Sequence, residues 1–291
     1  MTSRIDAHQH FWHLARGDYA WLRADVPALQ PLYRDFAPRD LQPSLSRHGV
    51  SQTVLVQAAA SEAETGFLLE LANAHAWIGG VVGWVDLGRQ EAVETLRRWS
   101  LESKFKGVRP MLQDLPDARW IAHAPHPDTV NALIDLGLRF DALVTPAQLP
   151  SLLEFVHRHP QLPVVLDHAA KPQLSAGWDA DWAAGWSRDL AALAEQPQVM
   201  CKLSGLLTEA AAPQNRSLAS AIDAVRPVWD RLLEWFGPQR LMWGSDWPVL
   251  TLAADLDRWV AVCEALIGEL PATEQAAIWH TNASRFYALA H

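Results

Sequence analysis

Along this 291-residue chain a short apolar run, a loop and an amphipathic segment follow one another again and again. The apolar runs fall at residues 5–8, 53–57, 80–85, 105–109, 139–144, 164–167, 200–203 and 241–244. Most are short and continuously apolar, as expected of parallel strands buried on both faces. Helical patterns fill most of the gaps, at 62–76, 90–99, 129–136, 182–195, 219–236 and 253–267, with a last one at 273–289. The clearest helix start is Thr145-Pro146, an N-cap followed by proline at the first helical position. Leu149, Leu152, Leu153 and Val156 then share one face of that helix. Strands alternating with helices imply βαβ units and a parallel sheet. Eight such units predict the α/β class and a closed (β/α)8 TIM barrel, for which 291 residues is an ordinary length. No GxGxxG follows any strand, which disfavours an open dinucleotide-binding sheet. With no linker, low-complexity run or charge block, residues 1–291 read as one domain. The loop from 9 to 38 is too long for the regular unit and is expected to cover the barrel mouth.

Composition narrows the partners. No stretch of about 18 uncharged apolar residues exists, so no membrane span is expected. The opening MTSRIDAHQHFW enters a strand-like segment at once and leaves no room for a signal peptide. Cys201 and Cys263 form no CxxC and no disulfide framework, which fits a reducing cytoplasm. The sequon at Asn282 then has no secretory context. Net charge is −9 and no basic run is present, so nucleic acid is not expected as a partner. The oligomeric state stays open, a homo-oligomer included. The 15 tryptophans could fill the core or stack on a sugar face.

In such a barrel the chemistry sits at the C-terminal ends of the strands. The first strand ends in His8-Gln9-His10, and alternation puts both histidines on one side. The sixth ends in Asp167-His168, and the eighth runs into Gly244-Ser245-Asp246-Trp247-Pro248. His8, His10, His168 and Asp246 can therefore converge as nitrogen and oxygen ligands for one Zn²⁺ or similar ion, with a position left for water. Each piece has a bland alternative. An HxH pair can arise by chance among 12 histidines, a lone histidine is often structural, and an aspartate can cap a helix. Three pieces at three strand ends argue together for a catalytic site.

Asp6-Ala7-His8-Gln9-His10-Phe11-Trp12, Leu166-Asp167-His168 and Trp243-Gly244-Ser245-Asp246-Trp247-Pro248 resemble the amidohydrolase superfamily. Lys106-Gly107-Val108-Arg109-Pro110 and Lys202-Leu203-Ser204-Gly205 fit its amidohydrolase-2 branch, which includes lactonases of sugar acids, muconolactones and pyrone dicarboxylates. The resemblance runs from Ile5 to about Phe286. It implies a lactone hydrolase with a small-molecule lactone as partner, an aldonolactone such as L-fuconolactone first among the choices. Two-metal members use a modified lysine on the fourth strand and a histidine on the fifth. Here Arg109 suits the mouth of the fourth strand better than Lys106, and the fifth carries Asp141. The resemblance therefore implies at most one ion, without which the reaction can still run. Asp246 is expected as general base, with His8, His10 and His168, or an ion they hold, polarising the carbonyl.

Further candidates concern the substrate. Arg109 could clamp substrate oxygens or only close a rim salt bridge. Lys202 and Ser204 share one side of the seventh strand, and Lys202 could instead neutralise Asp246 or Asp141. Trp12, Trp84 and Trp247 could wall a sugar ring or simply pack. Gln57 ends the second strand as a hydrogen-bond donor, and Tyr19 and Trp21 ride on the long first loop. His123 and His126 read as solvent-side. The alternatives are a decarboxylase on the same barrel and a non-catalytic sugar binder. A serine hydrolase is disfavoured because no GxSxG elbow exists.

Overall fold

A computed structural model describes residues 3–210 and 217–290. Eight strands form one parallel sheet in chain order: β1 Arg4–Gln9, β2 Val50–Val56, β3 Ile78–Gly83, β4 Phe105–Val108, β5 Arg139–Ala142, β6 Val164–Leu166, β7 Val199–Leu203 and β8 Leu241–Trp243. The sheet closes just past β8. There Asp246 N donates to His8 O at 2.8 Å and His10 N to Trp247 O at 2.7 Å. The α/β barrel read from the repeat is therefore the architecture found. Strand and helix ends shift by a few residues from the sequence reading, as terminal fraying allows.

Helices cover the outside of the barrel. Thr145 starts its helix as expected: its backbone N–H bonds Gln148 Oε1 at 2.9 Å, and a 3₁₀ turn Pro146–Gln148 leads into Leu149–Arg158. The single turns Trp120–His123 and Leu206–Glu209 were not foreseen, and neither was the longest such helix, Pro38–Arg47. Its sequence, PRDLQPSLSR, buries only Pro38, Leu41 and Leu45, and it carries an internal Pro43. Those three positions share one helix face, and Asp40 Oδ2 caps the start by accepting from Ala37 N at 2.8 Å. The closing helix is interrupted: Ala272–Ala276 passes through a wider π turn, Ala277–Thr281, into Asn282–Phe286. Asn282 is buried there and donates to Pro238 O and Leu241 O, so its side chain is committed to the fold. Among the described residues no helix is long and apolar enough to cross a membrane. Cys201 and Cys263 are free and buried.

The barrel interior is divided along its axis. Near the strand N-termini an apolar plug gathers Ile5, Val54, Val82, Val165, Met200 and Met242 against Phe286, Tyr287 and Leu289 of the C-terminal segment. Gln52 Nε2 donates to Ala290 O and Lys106 Nζ to Ala288 O, which fixes that segment at this end. Lys106 thus lies at the bottom of the barrel, away from the mouth. β1 carries a bulge: Asp6 pairs with Thr53 but Gln9 with Leu55, so three steps on β1 oppose two on β2. Ile5 and Ala7 join the interior plug, and the extra residue turns His8 inward as well. Asp6 Oδ1 holds the irregularity by accepting from His8 N at 3.1 Å and Ser245 N at 2.8 Å.

Candidate active site

Three histidines surround one carboxylate at the C-terminal end of the barrel. Asp246 Oδ1 lies 3.8 Å from His8 Nε2, 3.4 Å from His10 Nε2 and 3.7 Å from His168 Nε2. All four residues are buried. His10 Nδ1 lies 2.8 Å from Val56 O, a carbonyl that can only accept, which assigns the Nδ1–H tautomer and leaves Nε2 a bare lone pair. His168 Nδ1 pairs with Ser204 Oγ at 2.9 Å. His8 Nε2 and His10 Nε2 face each other at 3.1 Å. His8, His10 and Asp246 thus offer three ligand atoms 3.1–3.8 Å apart. The edges of a tetrahedron with ligands 2.0–2.1 Å from zinc are about 3.3 Å, so the donor set fits such an ion. His8, Asp167 and His168 make a second grouping through the shared His8.

The backbone that presents these groups is strained. Asp246 has φ +57°, which aims its side chain back at β1. His168, Ala169, Ala170 and Lys171 form a left-handed turn with φ of 52°, 49°, 56° and 51°. A left-handed conformation costs non-glycine residues about 1–2 kcal/mol each. Such a turn persists only where its surroundings over-determine it. Trp186 Nε1 holds it by donating to Ala169 O at 2.8 Å, and Gly205 leaves room for the His168 ring.

Below the histidines lies a fully buried charge layer. Lys202 Nζ contacts Asp141 Oδ2 at 2.6 Å, Asp167 Oδ1 at 3.0 Å and His8 Nδ1 at 3.1 Å. Tyr287 donates its hydroxyl to Asp141 Oδ2 at 2.8 Å, tying the apolar plug to this layer. Arg109 Nη1 lies 3.3 Å from His8 Nε2 and 3.4 Å from Asp167 Oδ2, while its Nη2 donates to Gln57 O. Burial holds the His8 imidazole well below its ordinary pKa, and it holds His168 down at about 4. Both are therefore uncharged at neutral pH. Burial alone would raise the Asp246 carboxyl, but His168 and the neighbouring His10 and His8 outweigh it and keep it below the usual carboxylate range. Asp167 follows the same logic, with Lys202 the strongest opponent of burial. Burial pushes Asp141 up to about 6 despite Lys202.

Above Asp246 opens a cavity of about 320 Å³, near the lower end of the range of about 300–1,000 Å³ for small-molecule sites. Trp12, Trp21, Leu29 and Leu32 of the first loop form an apolar wall with Val249 and Leu252. Arg109, Gln113, Asp114 and Lys171 form a polar wall over His10, His168 and Asp246. Of the candidates from sequence, Trp12 and Arg109 line the cavity. Gln57 and Lys202 are buried beneath it, and their contacts run to the neighbouring buried groups. Trp84 and Trp247 are not in the lining, because Trp247 packs against Phe11 and Phe36 and Trp84 is anchored through Thr65. Trp21 bonds Ala58 O at 2.7 Å, which pins the first loop over the mouth. Tyr19 is buried behind it, near Trp12. His123 pairs with Asp117 and His126 begins a helix, both away from the cavity. Sequence reasoning missed Asp114 and Lys171, whose loops carried no pattern. It also missed Tyr287, whose apolar neighbours concealed a polar role.

The geometry has relatives. The amidohydrolase family model matches residues 5–289. An L-fucono-1,5-lactonase of Burkholderia ambifaria is 43% identical over 291 residues, covering 99% of this chain and 96% of that protein. An amidohydrolase of Burkholderia multivorans solved with bound HEPES superposes with a TM-score of 0.90 at 40% identity, covering 99% of this chain and 100% of that one. A second crystal form of the multivorans protein, solved with bound zinc, gives 0.88 at 39% identity with the same coverage. With the barrel, the histidine–aspartate floor and a family match along nearly its full length, the chain belongs to the amidohydrolase family.

Proposed function

We propose that this chain hydrolyses a neutral, polyhydroxylated lactone, an aldono-1,5-lactone such as L-fucono-1,5-lactone. The observation that carries the reading is the single Asp246 oxygen facing three histidine nitrogens at 3.4–3.8 Å on the floor of a small cavity. Ring opening needs a water stripped of a proton, a counter-charge for the carbonyl oxygen and a proton for the departing ring oxygen. Asp246 is ionised and takes the proton as the water attacks the carbonyl carbon. Carrying that proton, it returns it to the ring oxygen when the C–O bond breaks, and the product is the hydroxy acid. His8, His10 and His168 serve the electrophilic side through a zinc ion that they would hold with Asp246. Such an ion would supply Lewis-acid charge opposite the carbonyl oxygen. Arg109, which lines the cavity and spans Gln57, His8 and Asp167, keeps His8 in place and adds positive charge to the floor.

Charge argues against a dianionic substrate. Arg109 and Lys171 in the lining are matched by Asp114 and Asp246, so no positive excess awaits two carboxylates. The names of the lactonase relatives support the same substrate class. We place the reaction in a reducing cytoplasm, consistent with two unpaired buried cysteines, and assign it to the whole chain as one domain. A lactone panel read with a pH indicator tests the proposal. Turnover of L-fucono-1,5-lactone or another aldonolactone is expected. Turnover of pyrone or muconolactone acids without any sugar lactone would overturn it, and carbon dioxide release from aromatic acids would point to a decarboxylase.

A further inference from the structure

The polar wall of the cavity contains one carboxylate that the chemistry above does not use. Asp114 ends a short helical turn, Leu112–Asp114, in the loop after β4. That turn is anchored on both sides: Gln113 N donates to Leu143 O at 3.1 Å, and the Gln148 side chain donates to Leu112 O. Among the described residues Asp114 makes no ion pair within 4.0 Å; its carboxyl meets the Gln113 side chain, is open to solvent and lines the cavity. Across the same wall Lys171, at the end of the left-handed turn, is matched by Glu209 at 3.3 Å. We propose that Asp114 is a specificity-determining residue that accepts hydrogen bonds from substrate hydroxyls, with Gln113 and the Lys171–Glu209 pair completing a polyol subsite. The inference rests on the lactonase reading and deepens it.

Partial burial lifts the Asp114 carboxyl, with Lys171, the Gln113 side-chain hydrogen bond and Arg109 opposing. A carboxylate here accepts from hydroxyls, and it repels substrate carboxylates. The apolar lining of the same cavity, from Trp21, Leu29, Leu32, Val249 and Leu252, suits the carbon face of the same ring. Asp114 therefore acts on binding, whereas Asp246 acts on the reacting atoms.

Kinetics of Asp114→Asn on two neutral lactones test this. L-Fucono-1,5-lactone carries the hydroxyls, and δ-valerolactone has the same ring without them. KM for L-fucono-1,5-lactone is expected to rise about tenfold, the difference between a charged and a neutral acceptor, with kcat within about threefold. On δ-valerolactone kcat/KM is expected to stay within about twofold of the unaltered protein, since no hydroxyl contact is lost. Asp114→Glu keeps the carboxylate and is expected to recover most of the affinity, which separates recognition from damage to the loop. Equal losses on both lactones, or an unchanged KM for L-fucono-1,5-lactone, would overturn the subsite alone. An unaltered protein that opens neither lactone overturns the lactonase reading and the subsite with it.

Discussion

The chemistry of this barrel depends on how burial treats individual side chains. His8 and His168 are uncharged because the site removes them from water, and Asp246 stays ionised because its neighbours outweigh the same effect. The consequence for pH follows from the signs. An imidazole with its pKa lowered to about 4 stays a free base until the pH falls well below that of ordinary histidine. kcat/KM is therefore expected to stay flat from pH 8 to pH 6 and to fall with a midpoint nearer 4 than the ordinary value of about 6.5. A midpoint at 6.5 or above would show that the histidines are not held uncharged. His8 Nε2 and His10 Nε2, 3.1 Å apart beside Asp246, make a second demand, for a cation among these donor atoms. A saturating zinc ion is expected to raise the melting temperature over that of chelated protein, as any ligand selective for the folded state does. At 100 times its dissociation constant the gain is about 2.7 kcal/mol. No shift in a thermal melt at any zinc concentration would remove the ion from the account. The sequence made the four floor residues legible because each ends a strand. It gave less guidance on Lys202 and Gln57, whose strand positions say nothing of depth along the barrel axis.

At the scale of elements, the site depends on departures from regular geometry that no periodicity announces. The β1 bulge lets Ile5, Ala7 and His8 all face inward, where strict alternation would send His8 to the other side of the sheet. The sequence reading put His8 and His10 on one side, and their Nε2 atoms lie 3.1 Å apart although His8 sits within the bulge between Asp6 and Gln9. The left-handed turn from His168 to Lys171 was invisible, because His-Ala-Ala-Lys is an ordinary right-handed helix former. Only the surrounding fold imposes that turn. Gly205, at φ +64°, is part of the imposition: a Cβ there would lie 2.6 Å from His168 Nδ1. Gly205→Ala is expected to cost about 1–2 kcal/mol for the left-handed backbone alone. It also displaces the ring from Ser204, so kcat is expected to fall about 10²-fold, the usual scale for a mispositioned group at a reacting centre. Unchanged kcat in the folded variant would show that the His168 ring has freedom the packing denies. Few apolar residues and an internal Pro43 explain why the helix Pro38–Arg47 was missed, while eight buried apolar runs made the barrel itself plain.

Over the whole molecule, stability and chemistry occupy opposite ends of one closed sheet. The strand N-termini enclose an apolar plug sealed by Phe286, Tyr287 and Leu289, and the strand C-termini carry the strained, charged groups. Between them the Lys202 layer ties Tyr287 to His8 through Asp141. This division implies that damage at one end spares the other. Met242→Ala in the plug is expected to cost about 2–5 kcal/mol of stability while leaving turnover of the folded protein nearly unchanged. Asp246→Asn should do the reverse, keeping the volume and the hydrogen-bonding reach of the side chain while removing its capacity to accept a proton. The decisive measurement is kcat on L-fucono-1,5-lactone together with the melting temperature of the Asp246→Asn protein. The account predicts a fall in kcat of at least about 10²-fold with the melting temperature nearly unchanged. Near-normal turnover, or a loss of activity that merely tracks unfolding, would contradict it.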